Sequence, residues 1–163
     1  MSTSPESLVQ PCFPDAPVAA DVARGVTRLF CRQELFVICE VPLPNGRRAD
    51  LMGVDSTGNL TIVEIKVARA DLLGDCKWTD YLDYCDHFYW AVAPALAAIL
   101  DSEEYLPNAA GLIVADRYDA ALVRQALHRP LAPARRKAEL LRFARRAARR
   151  LSEQLDPTLG AGT

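Results

Sequence analysis

Residues 48–66 read RADLMGVDSTGNLTIVEIK, and this stretch decides the fold. Two apolar runs rich in strand-forming residues flank a turn-forming segment at 55–59, which predicts an antiparallel β-hairpin. Successive side chains of a strand point to opposite faces, so Glu64 and Lys66 share one face of the second strand. The hairpin is therefore expected to bring Asp50 of the first strand across from Glu64 and Lys66.

Two carboxylates and an ammonium group at one point have a specific chemical use. Asp50 and Glu64, with the backbone carbonyl of Ile65, offer the hard oxygen ligands that Mg²⁺ or Mn²⁺ prefers, and they leave positions for water and a phosphate. Lys66 is then placed to stabilise the attacking hydroxide and the charge that builds on the phosphate. The predicted catalytic residues are Asp50, Glu64 and Lys66, and the predicted metal ligands are Asp50, Glu64 and Ile65.

The neighbouring residues decide whether Asp50, Glu64 and Lys66 form a functional site or whether Glu64 and Lys66 are an ordinary ion pair. A Glu-x-Lys pair on a strand is more often a solvated ion pair, and the motif by itself is short. Here Asp50 and Glu64 both stand within apolar strands. A charge buried in such a strand costs several kcal/mol unless it has a partner or a metal. The context therefore favours a functional site.

The rest of the chain predicts a mixed α/β order. Apolar positions between arginines in residues 22–30 predict an amphipathic first helix capped by Asp21. The other expected elements are strands at 35–41, 48–54, 60–67, 87–93 and 111–115, and helices at 77–86, 94–104 and from 133 onward. A helix separates the strands at 60–67 and 87–93, so these two are expected to be parallel. The αβββαβ core, flanked by helices and followed by a basic C-terminal helix, predicts an α/β fold with a mixed β-sheet.

Length and composition indicate one globular domain. The 163 residues are 50% hydrophobic and 25% charged, and no apolar run reaches the ~18 residues that a membrane span needs. We expect a single domain over 18–156, with its core at 20–116. A proline-rich segment at 1–17 is expected to be a mobile leader and not a secretory signal, and 157–163 a flexible tail.

Other chemistries find little support in the sequence. Five scattered cysteines predict reduced thiols, and the spacing of Cys76, Cys85 and His87 matches no familiar zinc pattern. Neither His87 nor His128 has a neighbouring serine or cysteine that predicts a catalytic triad. There is no glycine-rich phosphate loop.

The C-terminal helix, expected over about 133–155, carries a concentrated positive charge. Residues 135–150 contain eight basic residues and one acidic residue, although the whole chain has a net charge of −2. Leu140, Ala144, Ala147, Leu151 and Leu155 form a predicted packing stripe along this helix. Arginines beside the stripe, Arg145 and Arg149 among them, suit contact with DNA phosphates. The alternative is a solvated basic face that offsets the acidic body.

These motifs allow a family resemblance to be named. Asp50-x13-Glu64-Ile65-Lys66 within an αβββαβ order resembles the PD-(D/E)XK, or restriction-endonuclease-like, phosphodiesterases. The residues at 41–51, 63–66, 71, 74–75, 77–78 and 80–86 are similar to MmcB-type DNA-repair proteins. Ala49 stands where the superfamily motif has proline. The resemblance, which covers about 20–116, implies a nuclease role in DNA repair in a bacterial cytoplasm. It also implies damaged or branched DNA as the partner, with a second copy or other repair proteins as further partners.

Four more residues near the motif have possible roles. Lys77-x3-Tyr81 takes the place of a Gln-x3-Tyr pair that supports the metal site or contacts the DNA backbone in related nucleases, and packing alone is the alternative. Arg48, Lys77 and Tyr81 are thus predicted to contact DNA. Glu40 is left open as a ligand: a two-residue turn puts it on the wrong face, and a three-residue turn pairs it with Met52.

The predicted function is a metal-dependent endonuclease or exonuclease that acts on DNA in repair. The alternative from another class is a nuclease-fold module that binds DNA or recruits partners without cutting. A nuclease directed at RNA is a third interpretation, because the chemistry does not depend on the 2′-hydroxyl.

Overall fold

A single six-stranded sheet organises the protein, which is described by a computed structural model over residues 16–160. Its strands are β1 (Phe36–Pro42), β2 (Arg48–Val54), β3 (Leu60–Lys66), β4 (His87–Val92), β5 (Gly111–Ala115) and β6 (Ala120–Arg124). Its α-helices are α1 (Ala19–Arg32), α2 (Arg69–Leu73) and α3 (Pro133–Leu155). The 3-10 helices are Trp78–Tyr84, Pro94–Asp101, Glu103–Tyr105 and Pro157–Gly160.

The strands lie in the order β1-β2-β3-β4-β5-β6, the same as their order in the chain. β1, β2 and β3 pair antiparallel, β3, β4 and β5 pair parallel, and β6 returns antiparallel to β5. The predicted mixed α/β fold and the parallel pairing of β3 with β4 are confirmed. β6 is not among the predicted strands, because this edge strand has no run of buried β-branched residues and is defined mainly by its pairing with β5.

Each face of the sheet has its own hydrophobic core. On one face α1 packs Val22 and Phe30 against a layer that includes Leu51 and Val63. On the other face the 3-10 helices and part of α3 cover Met52, Leu60, Ile62, Trp78 and Trp90. This division follows the alternation of side chains along β2 and β3. The helices therefore flank the sheet on both sides, as predicted.

The segment expected as an α-helix at 77–86 is a 3-10 helix instead. A 3-10 helix has 3.0 residues per turn, so side chains three residues apart lie on one face. Trp78, Tyr81 and Tyr84 have this spacing, and all three are buried against Phe88 and its neighbours. The α-helical stripe predicted from Trp78, Leu82 and Cys85 is wrong, because burying three aromatic rings favours the tighter turn. Likewise, the helix expected at 94–104 is a pair of 3-10 helices.

The first helix begins before the residue that was expected to cap it. Ala19 and Ala20, both good helix formers, extend α1 by two residues beyond Asp21. Asp21 thus lies in the first turn, where its Oδ2 accepts a hydrogen bond at 3.2 Å from the backbone N–H of Val18. The prediction that Asp21 is the capping residue is wrong in position, although its carboxylate still satisfies a backbone donor at this helix end.

Helix α3 spans the predicted residues but is rotated from the predicted orientation. Leu151 and Leu155 of the predicted packing stripe are 58% and 79% exposed. Leu140, which belongs to that stripe, packs against the core as predicted, together with Phe143, which the stripe did not include. The rotation is fixed by the arginines, because Arg150 donates hydrogen bonds to the backbone carbonyls of Cys39 and Glu40 and Arg136 reaches the sheet.

Asp86 is the buried acceptor that holds this C-terminal region to the sheet. Its carboxylate accepts hydrogen bonds from the backbone N–H groups of Leu60 at 2.8 Å and Leu131 at 2.9 Å. Arg136 Nη1 donates to Asp86 Oδ2 at 2.9 Å and to the carbonyl of Gly58 at 3.0 Å. The β2–β3 turn, the start of β4 and the start of α3 therefore meet at one buried ion pair.

Both chain ends are partly outside the described residues. Of the segment expected as a mobile leader, residues 1–15 lie outside them, and so do residues 161–163 of the expected tail. Pro157–Gly160 form a 3-10 helix where a flexible tail was expected. Within residues 16–160, no helix combines the length and the apolar character that crossing a bilayer requires.

Candidate active site

The β2–β3 hairpin brings Asp50 and Glu64 together. Leu51 pairs with Val63 and Met52 with Ile62, and continuing this register places Asp50 across from Glu64. The Asp50 N–H donates to Glu64 Oε1 at 3.4 Å. Asp50 Oδ2 accepts a hydrogen bond from the Ile65 N–H at 2.7 Å. The two carboxylates are therefore tied to each other through the backbone of the hairpin.

Lys66 lies between two acidic side chains. Its Nζ is 3.9 Å from Glu64 Oε2 and 2.8 Å from Asp75 Oδ2. Asp75 belongs to the loop after α2 and is not among the predicted site residues. Gly74-Asp75 falls within the residues that carry the family resemblance, and that was the available signal. The position of Lys66 is thus set by a carboxylate outside the hairpin.

Burial dominates the electrostatics of the carboxylate pair. Glu64 is 4% exposed, and its burial, with the neighbouring Asp50 carboxylate, raises the pKa of Glu64 to about 8. Burial also raises the pKa of Asp50, although the hydrogen bond from Ile65 and the charge of Lys66 oppose this shift. Without a further cation, Glu64 is therefore largely protonated at neutral pH.

Tyr81 is buried and braces the site from the 3-10 helix. Its hydroxyl donates to the Arg48 carbonyl at 3.1 Å and also interacts with the Glu64 carboxylate. Burial and the Glu64 charge raise the pKa of Tyr81. Contact of Tyr81 with DNA stays a prediction, and its hydroxyl is used within the protein in this structure. Arg48, in contrast, is exposed.

An open cleft of about 670 Å³ gives solvent access to these groups. Lys77, predicted to contact DNA, is exposed at this cleft. The cleft is lined by Arg47, Asp50, Glu64, Ile65, Lys66, Ala70, Asp71, Gly74, Asp75, Cys76 and Lys77. The predicted residues of the hairpin therefore face one polar concavity, which is large enough to admit a phosphodiester.

Glu40 lies beside the site in a register that the sequence analysis did not consider. Cys39 pairs with Leu51 and Val41 with Ala49, so Glu40 falls opposite Asp50. Its backbone is left-handed, with φ of 50°, and its exposed carboxylate lies 3.6 Å from Arg48. The two-residue turn placed Glu40 on the other face from Asp50, and the three-residue turn paired Glu40 with Met52. The observed pairing of Glu40 with Asp50 therefore differs from both predictions.

Two carboxylates are the oxygen-donor side chains that the hairpin brings together. Among residues 16–160, no group of three or more His, Cys, Asp and Glu side chains is arranged to hold a metal ion. Asp50 and Glu64 are thus the side-chain oxygen donors at this point, with the Ile65 backbone beside them. Cys76 is exposed and Cys85 is buried.

The arginines predicted to contact DNA lie on the exposed surface of α3. Arg142, Arg145, Arg146 and Arg149 line a shallow concavity of about 320 Å³. Arg149 pairs with Glu153 at 2.7 Å. Arg145 has no acidic partner within residues 16–160. This face of the helix therefore keeps positive charge available to an anion.

The fold and the site together define the class of this protein. It is a mixed α/β protein with a polar cleft at one end of its central hairpin. The family model described as "DNA repair protein MmcB-like" matches residues 13–158, and the chain belongs to this family. A solved structure, the SPO1766 protein of unknown function from Silicibacter pomeroyi, is 41% identical with a TM-score of 0.78. The similarity covers 89% of this chain and 96% of that chain. A comparison with curated proteins finds no match.

Proposed function

We propose that this protein is a metal-dependent phosphodiesterase that cuts DNA during repair and has a restriction-endonuclease-like core. The observation that carries the proposal is the pairing of the part-buried Asp50 with the buried Glu64 at an open polar cleft, with the Lys66 ammonium 3.9 Å from Glu64. Membership of a DNA repair family supports DNA as the substrate.

The donor set fits Mg²⁺ or Mn²⁺. Mg²⁺ is commonly held by one or two carboxylates and completes its shell with waters and substrate phosphates. Asp50 and Glu64, with the Ile65 carbonyl, would supply such a set. The raised pKa of Glu64, caused by burial and by Asp50, indicates a site that is short of positive charge. When bound, the ion would polarise the phosphate and lower the pKa of a coordinated water.

Other side chains of the protein prepare this chemistry. Asp75 holds the Lys66 ammonium at 2.8 Å, so Lys66 is oriented before substrate arrives. From there the ammonium can donate a hydrogen bond to a non-bridging phosphate oxygen as its charge increases. Tyr81 holds Glu64 in place, and the apolar strands on both sides limit the water that competes for the carboxylates.

The exposed arginines of α3 would supply affinity that does not depend on base sequence. Phosphate contacts from arginine dominate nonspecific DNA binding. Arg145 and Arg149 face solvent, and Arg145 has no acidic partner in the described part of the chain. The division of labour is thus a compact site for the reaction and a separate basic face for binding.

A cleavage assay tests the proposal directly. The purified protein is incubated with single-stranded, nicked and branched DNA in the presence of Mg²⁺ or Mn²⁺. Wild type is expected to cut at least one substrate. Glu64→Gln and Lys66→Ala are expected to lose cleavage and keep DNA binding, while Glu103→Gln, an exposed control, cuts normally. Cleavage by Glu64→Gln at the wild-type rate would show that Glu64 is not part of the active site and would contradict the proposed site.

A second candidate is a module that binds DNA or recruits partners without cutting. It is favoured by the pKa of Glu64, which burial raises to about 8, because a largely neutral Glu64 lets the site persist without a metal. Wild type that binds DNA but neither takes up Mn²⁺ nor cuts would establish this candidate. Cleavage confined to an RNA strand of the same sequence would instead identify an RNA-directed nuclease.

A further inference from the structure

A second cavity adjoins the cleft and has a different character. It has a volume of about 550 Å³ and lies between α1 and the sheet. Ala20, Ala23 and Thr27 of α1 form one side, and Cys39 of β1 lies on the other. The cavity shares Asp50 and Ile65 with the cleft. The two concavities therefore meet at the carboxylate that is predicted to hold the metal.

The lining of this groove suits a flat, apolar ring. The methyl groups of Ala20 and Ala23 leave room that larger side chains would fill. The Thr27 hydroxyl donates to the Ala23 carbonyl at 2.7 Å, so its donor is already used within the helix. The groove volume falls within the ~300–1,000 Å³ that is usual for sites of small ligands.

Positive charge stands beside the apolar surface. Arg24 and Arg28 also line the groove, and both are exposed. Arg24 lies 3.5 Å from Asp21, and Arg28 donates to the Tyr118 carbonyl at 2.9 Å. Each guanidinium has further N–H groups, since arginine carries five. An apolar slot flanked by arginines complements an aromatic base that is attached to a phosphate.

We propose that the groove binds one unpaired nucleobase of the DNA strand whose phosphate lies at Asp50 and Glu64. This inference rests on the proposed function, and it adds the class of substrate. A base stacked inside a duplex cannot reach a pocket, and extruding it costs unstacking energy. The preferred substrate is therefore single-stranded, frayed or flapped at the nucleotide next to the cut.

Two observations single out a base as the occupant. The groove is continuous with the cleft through Asp50 and Ile65, so a chain bound in one presents its next unit to the other. Arg24 and Arg28 are complementary to the phosphate of such a unit, and the Glu40 carboxylate, which also lines the groove, is paired with Arg48 at 3.6 Å. Stacking against an apolar wall does not depend on which base is bound, which suits a repair protein that meets many sequences.

The test measures binding and needs no cleavage. Glu64→Gln protein without metal is mixed with single strands that carry 2-aminopurine, a fluorescent base, at one position at a time. A fluorescence change is expected at one or two adjacent positions and not in the matching duplex. Ala20→Trp fills the groove and is expected to abolish the change and weaken strand binding about tenfold. Ala98→Trp, an exposed alanine outside the groove, leaves both unchanged.

A second measurement uses the groove's own cysteine and needs no filled-groove variant. Cys39 is exposed and lines the groove, whereas Cys31 is exposed elsewhere on the protein. Single-stranded DNA is expected to slow alkylation of Cys39 severalfold and leave Cys31 unaffected, as followed by peptide mass spectrometry. Equal protection of both thiols, or of neither, contradicts the base subsite.

The outcomes separate this inference from the proposed function. A strand that does not bind, or binds without a position-specific signal, overturns the base subsite. So does a signal that survives in Ala20→Trp. If wild type nevertheless cuts DNA with Mg²⁺, the nuclease proposal stands without the subsite. If the signal is present and wild type cuts nothing, the groove remains a base site in a protein that is not a nuclease.

Discussion

Lys66 Nζ lies 2.8 Å from Asp75 Oδ2, which is closer than its 3.9 Å distance from Glu64. This ion pair joins the end of β3 to the loop after α2, and both side chains are 15% exposed. Asp75 therefore holds the Lys66 ammonium, which contacts Glu64, in a defined place.

Asp75→Asn is expected to lower kcat for DNA cleavage about tenfold with little change in KM. The variant leaves Lys66 free to shift toward Glu64, so its donor is no longer aimed at the phosphate in the transition state. Steady-state kinetics provides the measurement, and Asp75→Glu should restore part of kcat. Asp71→Asn is the matched control, since Asp71 lines the same cleft. An equal loss in both variants would mean that only the net charge of the cleft matters.

The stability of the wild-type protein is expected to fall as pH rises from about 4.5 to about 8. Burial and Asp50 raise the pKa of Glu64 from 4.5 to about 8, so the folded state holds a proton that the unfolded chain has released. Each pKa unit corresponds to about 1.4 kcal/mol, and Asp50 contributes in the same direction. Urea unfolding of Glu64→Gln across this range should show a flatter profile. Glu103→Gln should keep the wild-type slope; a flattened profile in this control would contradict the assignment.

Binding of Mn²⁺ is expected to strengthen with pH and to require Glu64. A metal ligand must be deprotonated, so affinity should rise about tenfold per pH unit below the pKa of Glu64. Burial raises that pKa to about 8, where the rise should level off. Isothermal titration calorimetry at several pH values checks this, with proton release measured in buffers of different ionisation enthalpy. Glu64→Gln should bind no Mn²⁺, and affinity that is independent of pH would place the metal elsewhere.

Asp86→Ala is expected to destabilise the protein by about 3–5 kcal/mol. The substitution leaves Arg136 without its carboxylate and removes the acceptor for the Leu60 and Leu131 N–H groups. Chemical denaturation measures the loss. Asp83→Ala, at an exposed position nearby, should change stability by much less. A small effect at Asp86 would show that the C-terminal region is attached mainly by apolar contacts.

Replacing Arg145 and Arg149 by glutamine is expected to weaken DNA binding and its dependence on salt. Each lost phosphate contact should reduce the slope of log affinity against log salt by about 0.9. Fluorescence anisotropy at several salt concentrations measures the slope for two unrelated sequences, which should change alike. Arg32→Gln, an exposed arginine paired with Asp119, is the control. An unchanged slope in the double variant would show that these arginines do not contact DNA and that this face of α3 is simply solvated.

Local sequence patterns were sufficient to predict secondary structure and strand pairing where a single interaction dominates. The bounds of β5, the extent of α3 and the parallel pairing of β3 with β4 followed from runs of apolar residues and from chain connectivity. Local patterns were insufficient where two ways of packing the same segment compete. Trp78, Leu82 and Cys85 fit an α-helix as well as Trp78, Tyr81 and Tyr84 fit a 3-10 helix, and only the shape of the core selects between them.

The sequence by itself determined the hairpin and the meeting of Asp50, Glu64 and Lys66, because strand alternation and a short turn act within twenty residues. Only the tertiary structure placed Asp75 beside Lys66, Tyr81 beside Glu64, and Leu151 and Leu155 of α3 in solvent. These relationships join segments that are distant in the chain or depend on how a helix is rotated. Their energies come from burial and hydrogen bonding in the assembled fold, which no local pattern contains.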